Sequence, residues 1–399
     1  MKSKKVLYNL IAIQILFWFG WQFATYQIVY LQSVGMTSSE IGVMSAISSL
    51  VSMVASILWG WIADKTNSIK KAFMLDIVIT AVFIVALPLL PTNFKYASVM
   101  FIVFRALTCI GQGPIGTLID NHAVRNCEQY GLSFGTVSAF RCISGALGGF
   151  VCTLVLSVIE VKNAFWIFGV FMIPTLFCIF LSNDPKSVPK RDGGEKKRDG
   201  LGLIFKNRAF LAFIIFTMLF NLAHQAVTVF IPSFMDDIGV DGANWGLYNS
   251  VRTLTSIPFM FMFSKIRKRM SLRSILILAC VFMGAESLLL GIFAKNLMHL
   301  LICGAIYGIG GGLYIGAVPL YILELAPENL KASSHNLYGA VCLGAGIVGN
   351  LFGGAAYGAL GGSIFYIALG ATMLMAVVFF AVSFMLVQKS RRENEADAV

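Results

Sequence analysis

Charge is what this chain has least of. Only 12% of its 399 residues are Asp, Glu, Lys or Arg, about half the share usual in soluble domains. Acids number 19 and histidines 4, so carboxylate or imidazole chemistry can be sought residue by residue. No phosphate loop, no set of ligands at metal spacing and no Ser/His/Asp constellation appears. That pattern is not an enzyme's, and it calls for no cofactor or metal.

Apolar residues take the place of charge, at 58% of the chain. They form twelve stretches, at 7–32, 38–63, 71–91, 96–123, 133–159, 163–182, 208–234, 242–264, 272–294, 297–323, 332–358 and 362–387. Each is long enough to cross a bilayer as a helix, too apolar all round for a soluble amphipathic helix, and too long for a barrel strand. The expected fold is an all-α membrane protein with twelve transmembrane helices in two six-helix, pseudo-symmetric halves. The one composition shift, NDPKSVPKRDGGEKKRDG, marks a linker over 183–207, because its Pro, Gly and mixed charges cannot build a core. The halves are then 1–182 and 208–388, with a tail over 389–399.

The net charge of +11 is a topology signal rather than a nucleic-acid footprint. Loops on the side shared by both termini hold 24 of the 30 cations, and the opposite loops hold only Lys95, Lys162 and Lys295. The positive-inside rule puts both termini in the cytoplasm. The apolar run near the start is too long for a signal peptide and is read as retained. Seven of the eight cysteines fall inside spans, while Cys127 falls with His122 at an exposed inner turn. No outer loop holds a pair, so no disulfide framework is expected.

The halves are weakly alike. SSEIGVMSAISSL opens the second span and GANWGLYNSVRTL the eighth; GWIADKTNSIKK and SKIRKRMSLRS are both basic inner turns. The fourth and tenth spans carry mid-depth glycines, Gly111 and Gly113 in one, Gly308, Gly310, Gly311 and Gly312 in the other. Repeats of this kind build transporters whose site lies at the membrane midplane.

GWIADKTNSIKK resembles the signature loop of the major facilitator superfamily. Gly60, Asp64, Lys65, Lys70 and Lys71 match it; Asn67 stands where glycine is usual, and one extra residue precedes the last cations. The resemblance implies a gating loop in which an acid beside basic residues latches two helices. A narrower resemblance, to the lactose-permease-like group of oligosaccharide and nucleoside proton symporters, covers PIGTLIDNHAVRNCEQYGLSFGTVSAFRCISGALGG. It puts Asp120 at the group's site carboxylate and Phe134-Gly135 at its aromatic-Gly pair. The chain departs from the group where Ser138 replaces its arginine, Gly145 its tryptophan, and Tyr314 and Ala317 its proton-site His and Glu; Glu286 stands at another of its arginine positions.

Polar residues inside spans need a reason to be there. Gln14, Trp18, Gln22 and Thr25 share one helical face in the first span, with Tyr26 beside it; such a face can hydrogen-bond and stack a sugar or nucleoside, or merely pack. Asn221, His224, Gln225 and Thr228 form a similar face in the seventh span. Gln14, Trp18, Gln22, Tyr26, Asn221, His224 and Gln225, with Asp120, Arg141 and Tyr314, are the expected substrate-binding residues. Arg105 and Asp120, fifteen residues apart, lie about 22 Å apart along a helix and do not pair directly. Arg252 and Glu286 sit at matching depths of antiparallel spans, which places them as a buried pair or as neighbours: a proton carrier in one reading, a static brace in the other. With Arg105, they are the expected proton-coupling residues.

The expectation is a monomeric secondary transporter of the inner or plasma membrane. It moves a small polar solute, a sugar, oligosaccharide or nucleoside, by alternating access with proton symport; its partners are that solute, protons and bilayer lipid, not nucleic acid. The rival is a proton-coupled multidrug efflux antiporter, which 33 Phe and 17 Met would suit.

Overall fold

The computed structural model describes residues 2–66, 68–92, 95–184, 207–327 and 330–396, leaving aside the side chains at 2, 63, 64, 332 and 384–396. Most of the expected linker, 185–206, lies outside the described residues. No strand occurs among the described residues. The main helices are α1 (Lys2–Ala24), α2 (Gln27–Ser33), α3 (Ser38–Thr66), α4 (Ile69–Ala86), α5 (Ala97–Gln112), α6 (Ile115–Tyr130), α7 (Phe134–Leu156) and α8 (Asn163–Leu181), followed by α9 (Arg208–Asp237), α10 (Trp245–Arg267), α11 (Leu272–Phe293), α12 (Leu297–Leu325), α13 (Lys331–Leu360) and α14 (Gly362–Ala396).

Among the described residues, eleven helical stretches are long and apolar enough to cross a bilayer. The eighth expected span, α10, is long enough at 23 residues but carries Asn249, Arg252, Thr253, Thr255 and Ser256 along its length. Large apolar side chains point outward, among them Ile57, Val170, Ile173 and Phe261. Lipid is the solvent such a surface suits.

Two expected spans are interrupted. The first breaks at Thr25–Tyr26 between α1 and α2, and the fourth at Gly113–Pro114 between α5 and α6. Pro114 has no N–H to give the carbonyl of Ile110, one turn back. The indole Nε1–H of Trp59 on α3 donates to that oxygen instead, at 2.8 Å. Beyond the break α6 runs on to Tyr130, well past the expected end at 123. It stops at Gly131, whose φ of 64° lets Leu132 N–H reach back to Cys127 O at 2.8 Å. The exposed turn expected at His122 and Cys127 is therefore a buried helix: the two residues are 1% and 2% exposed.

The chain divides into two compact units, Met1–Lys190 with Met235–Leu254, and Arg191–Phe234 with Thr255–Val399. In the first, α1 packs on α7 and α8, and α4 packs against α3, α5, α6 and α8. In the second, α11 packs on α12 and α14. Backbone meets backbone where side chains vanish. A Cβ on Gly149 of α7 would lie 2.7 Å from the carbonyl of Gly246, and the Ser250 hydroxyl donates to Ala146 O at 2.7 Å in the same crossing.

Candidate functional site

In the first unit the structure gathers four of the expected substrate-binding residues. Arg141 of α7 donates from Nη1 to both carboxylate oxygens of Asp120 on α6, at 3.0 and 2.7 Å. Both side chains remain about one-third exposed, at 35% and 36%. The guanidinium carbon lies 4.2 Å from the ring centroid of Trp18 on α1, a cation–π distance. The indole N–H of Trp18 in turn donates to Gln14 Oε1 at 2.9 Å. Gln14 is buried and fixes the indole, Trp18 backs the guanidinium, and Asp120 receives it. The ion pair itself escaped the sequence reading. Its signal was present: Asp120 precedes the Gly131 turn by about as many residues as Arg141 follows it, so antiparallel α6 and α7 bring the two to one level.

Gln22, two turns beyond Gln14, lies along α7. Its amide nitrogen would be 3.5 Å from a Cβ on Gly145, and its Cγ 3.0 Å from one on Gly148. Thus Gln22 covers the position where the lactose-permease-like group has tryptophan. Tyr26 is placed otherwise. It is 0% exposed, and its hydroxyl donates to Ala243 O and accepts from Gly246 N, both at 2.8 Å. Thr153 Oγ1 accepts from Leu247 N nearby at 2.7 Å. Tyr26 therefore locks a helix joint rather than lining an opening.

The second unit gathers rings. His224 of α9 stacks on Tyr307 of α12 with centroids 5.8 Å apart and planes 4° off parallel, and its Nε2 is 3.3 Å from the Tyr307 hydroxyl. Phe220 stacks on His224 and on Tyr314, at 5.9 and 6.1 Å. The Tyr314 hydroxyl meets that of Tyr338 on α13 at 2.8 Å. Asn221 turns its amide back to Thr217 O at 2.9 Å, and Gln225 packs where a Cβ on Gly346 would be 3.4 Å from its Cγ. Phe220 and Tyr338 are members that sequence reasoning missed; no motif marks them.

The expected proton-coupling residues are each placed on their own helix. Arg105 bonds along its own helix, to Cys109 Sγ at 2.8 Å and to Gln112 Oε1. Arg252, 6% exposed, holds its guanidinium 5.3 Å from the Tyr248 ring centroid in the first unit. Glu286, 0% exposed, belongs to α11 in the second.

Of the expected gating loop, the Asp64 side chain lies outside the described residues. Gly60 faces open space, and Lys65 sits 4.7 Å over the Trp61 ring. Ser68 caps α4 by accepting from Lys71 N–H at 3.1 Å. Lys70 fastens the start of α4 to the end of α8, donating to the carbonyls of Phe180 and Ser182 at 2.7 Å each. A cation on the last carbonyls of a helix suits the helix dipole. In the second unit, Arg273 at the start of α11 likewise donates to a backbone carbonyl, Ala381 O within α14, at 2.6 Å.

Long helices with polar clusters among outward-facing apolar side chains fit a major facilitator transporter. Residues 10–368 match the model of the MFS_1 like family, and the chain belongs to that family. It is 24% identical to the maltose permease of Geobacillus stearothermophilus over 347 residues, covering 86% of this chain and 85% of the relative. It is 23% identical to the sucrose permease of Escherichia coli over 296 residues, 70% of each. Among solved structures it is similar to the nucleoside transporter NupG, with a TM-score of 0.80 at 15% identity over 96% of this chain and 100% of that one. The protein is a multi-pass membrane transporter and not an enzyme.

Proposed function

We propose that this transporter takes up a sugar, oligosaccharide or nucleoside by alternating access, driven by protons moving the same way. The observation that carries the reading is the unit formed by Gln14, Trp18, Arg141 and Asp120. A carboxylate and a guanidinium fixed against each other present donors and acceptors in set directions, as a polyhydroxylated solute requires. The indole supplies a flat face for the solute's C–H surface. The similarity to maltose and sucrose permeases and to a nucleoside transporter supports this solute class. The protein works as a monomer in the inner or plasma membrane with both termini in the cytoplasm, a reading supported by the bias of cations toward one set of loops. Arg105, Arg252 and Glu286 are the residues assigned to proton coupling, as intramembrane charges with few other roles.

The test is transient current from purified protein in liposomes, challenged with maltose, sucrose and uridine across a range of pH. A solute-evoked current that weakens as pH rises is the expected result. Silence from folded protein overturns the reading and favours the rival, drug efflux, to which the ring-rich second unit is suited. Resistance conferred by overexpression distinguishes that rival.

A further inference from the structure

Asp76 has no role in the clusters described above. It stands two turns into α4, about 10 Å along the axis from the helix start. The residue is 0% exposed, and neither carboxylate oxygen has a hydrogen-bond partner among the described residues. Thr80, one turn along the same helix, is buried as completely, and its hydroxyl also lacks a partner. Gly111 of α5 lies opposite. A Cβ there would contact Thr80 Oγ1 and come within 3.2 Å of the Asp76 carbonyl oxygen. The backbones of α4 and α5 therefore touch beside this acid, just before the Gly113–Pro114 break.

Several titratable groups on the surrounding helices are engaged elsewhere. From α6, His122 lies against Phe73, one turn from Asp76, and bonds Ser182 Oγ at 3.0 Å; Asp120 on the same helix is held by Arg141. On α5, Arg105 is bonded to Cys109 and Gln112. At the ends of α3, Glu40 accepts from Thr37 and Lys65 covers Trp61. Lys70, on α4 itself, is fastened to carbonyls, and α8 contributes only the thiol of Cys178. A carboxylate ion buried without a protein donor or counter-charge is strongly disfavoured, whereas the neutral acid fits.

We propose that Asp76 is a proton-binding site of the transport cycle. It carries its proton in the conformation described here and releases it to water when movement at the α5–α6 break opens the α4–α5 contact. One O–H bond breaks at the carboxyl, the proton passes to water, and no other bond changes. Because only a hydrated arrangement accommodates the anion, protonation and conformation are linked. The proposal rests on the proton-coupled reading above.

The test uses the full chain, wild type, Asp76→Asn and Asp76→Glu. Infrared spectra of the purified proteins at neutral pH should show a carboxylic C=O band in wild type that Asp76→Asn lacks; equal bands overturn the proposal whatever the solute. In liposomes loaded for counterflow or given an inward proton gradient, labelled maltose, sucrose and uridine are the probes. Asp76→Asn should lose gradient-driven accumulation and keep counterflow, with Asp76→Glu restoring part of the accumulation. If wild type and Asp76→Asn accumulate probe alike, the proposal alone fails. If wild type shows counterflow but no gradient-driven accumulation, the proton-coupled reading fails and this role falls with it.

Discussion

The two polar clusters are built on opposite principles. In the first unit a charge pair is braced from behind: Gln14 holds Trp18, and Trp18 backs Arg141 against Asp120. In the second unit the rings of Phe220, His224, Tyr307 and Tyr314 lie nearly parallel, and hydroxyls close the set at Tyr314–Tyr338. Under the proposed function, the first fixes directions, which would discriminate among hydroxyl patterns, and the second offers faces, which would tolerate many solutes. Specificity should therefore reside in the first cluster and tolerance in the second.

Removing the charge pair should break this contrast most. Asp120→Asn leaves Arg141 without its counter-ion and should weaken binding about tenfold to a hundredfold, the range for losing a charged hydrogen-bond partner worth about 1.5–3 kcal/mol. Counterflow titrated against solute concentration measures it, and an unchanged half-saturation would refute the directional role. Trp18→Ala removes the backing ring and should weaken the same titration about tenfold, from a cation–π contact of about 0.5–2 kcal/mol. Replacing the indole by Phe keeps a face and loses the bond to Gln14, so its effect should be smaller. Tyr338→Phe removes one hydroxyl and no ring. It should change affinity about fivefold or less, near 1 kcal/mol, while leaving the ranking of solutes intact. A reordered solute ranking in Tyr338→Phe would show that the second cluster also discriminates.

The fold was legible because hydropathy alone marks the spans, and the N-caps Ser68, Ser133 and Ser271 start α4, α7 and α11 within a few residues of the expected beginnings. The breaks were not legible, because an apolar run reads as continuous even where Gly113–Pro114 interrupts it. The reading also gave Tyr26 to the solute, since an aromatic residue near a polar face looks alike whether it lines an opening or locks a joint. Only the partners of its hydroxyl, Ala243 and Gly246, distinguish the two. Asp76 was overlooked because neither a motif nor a polar periodicity surrounds LDIVIT. A single acid in such a run is the kind of signal that intramembrane cost makes informative.

The bond from Trp59 to the carbonyl of Ile110 carries a consequence for how this sequence can change. Pro114 creates a need on one helix, and a residue more than fifty positions away on another helix answers it. Either substitution alone is unequal in effect. Loss of the indole leaves that carbonyl oxygen without its donor, whereas loss of the proline makes the indole's donor superfluous. The two positions form a one-way ratchet of heredity: the proline's departure would free the tryptophan to drift, but the tryptophan cannot leave first.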